Sequence, residues 1–254
     1  MADTAKTTNA AMRPFGALAD LDLDFGHVDR PALVTTLLTT HGAEGASDPA
    51  FWWSRPVGTR IAALLRLLAR TETLDALALS AYCVQPACGE RFEFALPLHA
   101  LPAINEGFDD ADPITLRLDG QRALRVRRPT GDDLLRWRDA RPASREEALR
   151  LMLDALVLEG EVAPHDAHAV SASIAAADPL VDFRALAHCP ACGAVNDVPV
   201  DLEALALARL RTHQQALLRE VHQFASHYGW TEAQVLAIPP ARRARYRKLI
   251  EAAP

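Results

Sequence analysis

Apolar and polar positions change period several times along the chain, and each change predicts an element. Ile61, Leu64, Leu65 and Leu68 recur at helical spacing, so residues 60–70 form an amphipathic helix, after a shorter one over 31–40 and a loop around Gly42, Gly45, Ser47 and Pro49. The period then drops to two. Leu77, Leu79 and Ala81 alternate up to Cys83, and Phe92, Phe94, Leu96 and Leu98 alternate after Cys88, which gives two strands flanking a cysteine pair. Residues 114–118 and 123–127 alternate again across Asp119-Gly120, a dipeptide suited to the positive φ values of a tight hairpin.

Helical spacing returns after the hairpin. Thr130 precedes Gly131-Asp132-Asp133 as a cap for a short helix through Trp137, because carboxylates favour the positive end of a helix. Ser144-Arg145-Glu146-Glu147 has capping-box spacing and opens a helix whose buried stripe is Leu149, Met152, Leu153 and Leu156, up to Gly160. An Ala-rich helix over 164–177 stops at Asp178-Pro179. Strands over 180–188 and 195–200 bracket a second cysteine pair, and from Leu202 the chain is helical. Residues 1–25, rich in Ala, Thr and Asp, show no steady period and read as a flexible or loosely docked arm.

The cysteines carry the clearest chemistry. Cys83-Val84-Gln85-Pro86-Ala87-Cys88-Gly89 and Cys189-Pro190-Ala191-Cys192-Gly193 are two turns of one design, each entered by a strand and left through Gly. Such knuckles present two thiolates each, and together supply the four tetrahedral ligands of a closed, structural Zn2+ site, one ion per chain. Buried apolar cysteines or two local disulfides are the alternatives. The 100 residues between Cys88 and Cys189 (189 − 88 − 1) form a hairpin-and-helix insertion in the ribbon.

Composition narrows the function classes. The 254 residues carry a formal net charge of −6, which gives no general attraction to polyanions or anionic membranes. No run of apolar residues reaches the length of a membrane span, and the N-terminus lacks a signal-peptide pattern. His165 with His168 and His222 with His227 lack the spacing of a zinc hydrolase, and there is no Walker loop, Gly-x-Gly-x-x-Gly or Gly-x-Ser-x-Gly. No small-molecule substrate or enzymatic activity is therefore expected.

The C-terminal segment is a second distinctive stretch. Leu217, Val221, Phe224 and Tyr228 line a helix that Gly229 can end, and Thr231-Glu232-Ala233-Gln234 forms a capping box with Trp230 placed to staple onto Val235. After Pro239-Pro240, a last helix holds Arg242, Arg243, Arg245, Arg247 and Lys248. These cations either form a solvated face over packed Tyr246, Leu249 and Ile250, or meet an acidic protein surface or nucleic acid.

Residues 218–239, followed by Arg242-Arg243-Ala244-Arg245-Tyr246, resemble the tail of a baseplate-protein family of contractile-tailed phages and extracellular contractile injection systems. The knuckle pairs, Pro129-Thr130-Gly131-Asp132 and Asp178-Pro179 extend the resemblance over about residues 50–254. The resemblance implies a non-enzymatic hub or tube-assembly component in the bacterial cytoplasm or the phage-like particle, binding baseplate hub or tail tube proteins. Trp230, Arg242, Arg243, Arg245 and Tyr246 are its expected partner-binding residues. A zinc-ribbon nucleic-acid-binding or regulatory protein is the alternative. The expected fold is α+β: an N-terminal arm and short helix over 1–50, a split four-cysteine zinc-ribbon core over 51–202 with its insertion at 89–188, and a helical tail over 203–254.

Overall fold

A computed structural model describes residues 12–42, 46–107, 110, 113–118 and 122–252. The chain is α+β. Its main elements are α1 (Arg30–His41), α2 (Pro49–Trp53), α3 (Val57–Thr71), β1 (Ala76–Tyr82), β2 (Arg91–Pro97), β3 (Ile114–Leu118) and β4 (Arg122–Val126). There follow α4 (Gly131–Ala140), α5 (Arg145–Leu156), β5 (Val157–Glu159), α6 (Ala167–Ala177), β6 (Arg184–His188), β7 (Val195–Pro199), α7 (Leu202–Tyr228), α8 (Glu232–Ala237) and α9 (Pro240–Glu251).

The helix α3 is central: Leu64, Leu65, Leu67 and Leu68 are fully buried, so its apolar surface is wider than the stripe read from spacing. It packs against α1 and α7, and Leu33, Val34, Leu37, Leu38, Leu207 and Leu210 close the core around it. Arg60 on α3 is also buried, and its guanidinium donates to the carbonyls of Trp52 and Pro31 and to the Thr35 hydroxyl while lying over the Trp53 ring. Burial of a cation without a carboxylate in contact lowers its pKa to about 10.

The segments expected to be an arm and a tail are parts of this core. Met12 and Phe15 are buried in it, and Asp20, fully buried, accepts from Arg13 and from the Gly16 and Ala17 amides. His41 Nε2 lies 3.3 Å from Asp20, and Gln214 of α7 donates to the Asp20, Leu21 and Leu23 carbonyls. Residues 12–25 are thus held by tertiary partners, which an aperiodic sequence does not reveal. Leu202, Ala206, Leu210 and Leu217 likewise place the start of α7 in the main core and not in a tail.

Three antiparallel sheets are present among the described residues. The two-stranded ribbons β1–β2 and β6–β7 carry the cysteines, and β3–β4–β5 forms a separate sheet in the insertion. That sheet buries Leu116, Leu118, Leu124 and Val126 against Leu153 of α5 and Val170 of α6. The β3–β4 register, Leu118 opposite Arg122, fits the expected hairpin, while Asp119-Gly120 itself lies outside the described residues. Strand β5 replaces the end of the expected helix, and Leu149 and Met152 of its expected buried stripe are exposed. Only Arg184–His188 of the expected strand over 180–188 is extended; Leu180 is a core residue in a turn.

Candidate metal centre

Each ribbon turns back at a knuckle whose backbone is built the same way. The Cys83 amide donates to the Glu90 carbonyl and the Cys189 amide to the Ala194 carbonyl, both at 2.9 Å. Gly89 amide donates to Gln85 and Gly193 amide to Cys189, and both glycines have positive φ, 60° and 75°. The left-handed conformation lets the chain fold back under the sulfurs, which is why a Gly follows each second cysteine.

The two knuckles face each other. Cys83 Sγ lies 3.6 Å from Cys192 Sγ and Cys88 Sγ 3.8 Å from Cys189 Sγ, and all four sulfurs lie within 4.8 Å of one another. A tetrahedron with metal–sulfur bonds of about 2.3 Å has edges of about 3.8 Å, so this spacing fits one metal ion. None of the four cysteines is bonded to another in this arrangement. Cys83 and Cys189 are buried among Phe92 and Ala187, with Phe94 and Val198 beside them, while Cys192 is exposed.

Thiol electrostatics follow from the crowding. Burial pushes the Cys189 thiol up, but the Cys192 and Ala191 amides donate to its sulfur and bring it down to about 7. At Cys88 the Glu90 amide works downward, yet burial and the neighbouring thiols push it up to about 12. Cys83 is also raised, its Gln85 amide being outweighed by burial and by Cys192 and Cys189. Four sulfurs this close cannot all ionise alone, whereas a dication displaces their protons together.

Asn196 is a site residue the spacing analysis missed. Fully buried on β7, it accepts from the Val84 amide at 2.8 Å and donates to the Ala187 and Ala194 carbonyls, so one side chain ties the first knuckle to the second. The available signal was its position, an amide side chain on the inward register of a strand shared with Val198.

The expected partner-binding residues divide. Arg243 is buried; it donates to Glu220 at 2.8 Å and to the Ile238 carbonyl, so it holds α9 on α7 and is not presented to a partner. Trp230 and Tyr246 pack with Phe224 and Tyr228 around Val235, half-buried within the corner. Arg242 and Arg245 are exposed. His165, His168, His222 and His227 are all exposed, the last two on α7, His168 on α6 and His165 just before it. Two shallow surface depressions, one beside Arg66 and His99 and one beside Ser144 and Arg150, contain none of the cysteines.

Fold and site together define an α+β chain with a four-cysteine cluster joining two ribbons. No family model, curated protein or solved structure matches it. No helix among the described residues is long and apolar enough to cross a membrane.

Proposed function

We propose that this chain is a zinc-stapled, non-enzymatic assembly component that binds hub or tube proteins of a contractile tail baseplate or injection system, in the bacterial cytoplasm or within the particle. The observation that carries the metal reading is the convergence of four sulfurs from two knuckles onto one ion-sized centre. Four thiolates complete the tetrahedral shell of Zn2+ and leave no position for water or substrate, which favours a structural role. In support of the setting stands the resemblance of residues 218–246 to baseplate proteins.

The two halves of the proposal are tested separately. Metal analysis of purified protein returns one zinc per chain; a value below roughly 0.2, with oxidised thiols, refutes the metal reading, since a structural site is filled whenever the protein is folded. Co-expression with the hub and tube proteins of a contractile system yields a stable complex. Failure to co-purify with any of them, with zinc present, refutes the assembly reading alone.

A further inference from the structure

We propose that this protein associates with a second copy of itself, the outward face of α9 docking on the acidic stretch of α5 and β5 of the next chain. The inference stands on surface chemistry and does not depend on the baseplate setting.

The cations of α9 have two destinations. Arg243 and Arg247 turn toward Glu220 of α7. Arg242, Arg245 and Lys248, spaced three apart, are exposed on the opposite side, and among the described residues they have no ion-pair partner. Leu249, next to Lys248 near the C-terminal end of the helix, is 62% exposed. The outward side of α9 is therefore basic, with an exposed leucine at its C-terminal end.

Its complement is on the insertion. Residues 145–161 hold five exposed carboxylates, Glu146, Glu147, Asp154, Glu159 and Glu161, against Arg145 and Arg150, and Glu159 is paired with Arg125 of β4. The same stretch leaves Leu149, Met152 and Leu158 exposed, the last on β5, an edge strand of its sheet. Both faces are exposed, so neither covers the other within one chain. Each repels a copy of itself by like charge and attracts the other, so the unlike faces pair. An exposed leucine beside cations suits a protein surface better than a phosphate backbone, and the net charge of −6 opposes a polyanion. Made in one direction the contact repeats into a ring or a filament, and made reciprocally it closes a two-fold dimer.

The test is sedimentation of the full-length, metal-loaded protein over a wide concentration range at low and high salt. Wild type gives a mass that grows with concentration and shrinks with salt. Arg242→Glu with Arg245→Glu, and separately Asp154→Arg with Glu161→Arg, each weaken self-association by roughly tenfold or more, since like charges then meet in the contact. These positions are exposed, and circular dichroism of both variants matches wild type. Mixed together, the two variants retain one intact pair of faces and form a one-to-one dimer that grows no further. A wild type that stays monomeric throughout, an oligomer indifferent to both variants, or a mixture that yields no dimer overturns the proposal.

Discussion

Replacing Asp178 by Asn should raise stability above about pH 6 and leave it nearly unchanged below about pH 4. Asp178 is fully buried at the end of α6, where its Oδ2 accepts the Gly58 amide at 3.1 Å from the first turn of α3. Among the described residues its Oδ1 has no hydrogen-bond partner. Burial raises the carboxyl to about 6, against the pull of the Gly58 amide and Arg128 and with a further push from Asp110. An unfolded Asp titrates near about 3.9, so between that pH and about 6 the folded chain keeps a proton that the unfolded chain has lost. The stability from the protonated form is fully present below the unfolded value and is lost as pH rises through the folded one, by roughly 3 kcal/mol in all. Asn keeps the acceptor for Gly58 and never ionises.

Urea denaturation at a series of pH values, compared between variant and wild type, isolates this one group from the other carboxylates. A stability difference that is flat from pH 4 to 8, or that favours wild type as pH rises, refutes the reasoning. Gly58→Ala gives an independent check on the geometry. A Cβ there would lie 1.6 Å from Asp178 Oδ1 and 2.5 Å from its Cγ, so the carboxyl must move and the amide pair is lost. The cost is roughly 2 to 4 kcal/mol at every pH, an overpacking cost added to a broken buried hydrogen bond.

Arg243→Ala should destabilise by roughly 2 kcal/mol in chemical denaturation, because it removes the buried partner of Glu220 and leaves only Arg247, 3.8 Å away, whereas Arg242→Ala stays within about 0.5 kcal/mol. Asn196→Ala should weaken metal retention by roughly 10- to 100-fold in a chelator competition, as loss of a residue that orients the ligands does.

Local chemistry was legible and tertiary partnership was not. Thr231 and Gln234 form the expected reciprocal cap, with the Thr231 amide 2.9 Å from the Gln234 side chain, and Gly229 ends α7 at φ 69°. Both depend on neighbours within a few residues. The cysteine cluster was legible because each knuckle is itself a local turn, repeated twice with the same Gly. By contrast, Arg242 and Arg243 are adjacent and chemically alike, and only the position of Glu220 on α7 separates an exposed cation from a buried one. Phe15 and Asp20 read as parts of an arm because their partners, His41 and Gln214, lie far along the chain. Leu149 and Met152 show the converse error: helical spacing marks an apolar stripe, but it does not say whether the chain covers it.

The placement of the cluster also sets what metal removal should do. The chain leaves the helical core along β1–β2, builds the insertion, and returns through β6–β7, so the four cysteines sit where both roots of the insertion meet. They do not hold the core together, since α1, α3 and α7 bury their leucines against one another with no cysteine among them. The knuckle ends of the ribbons have much less: a small cluster of Cys83, Phe92, Ala187 and Cys189, while Leu77, Leu96 and Ala185 root the strands in the main core. A two-stranded ribbon is marginal alone in water. Stripping the metal with a strong chelator under reducing conditions should therefore unlock the ribbons first. Amide exchange accelerates at the knuckle ends of the ribbons, residues 81–92 and 186–196, while the amides of α3 and α7 stay protected and most of the helical circular dichroism remains. Cys189→Ser should reproduce that pattern without chelator. If α3 loses protection together with the ribbons, the metal supports the whole fold cooperatively and is not a staple of the ribbons alone.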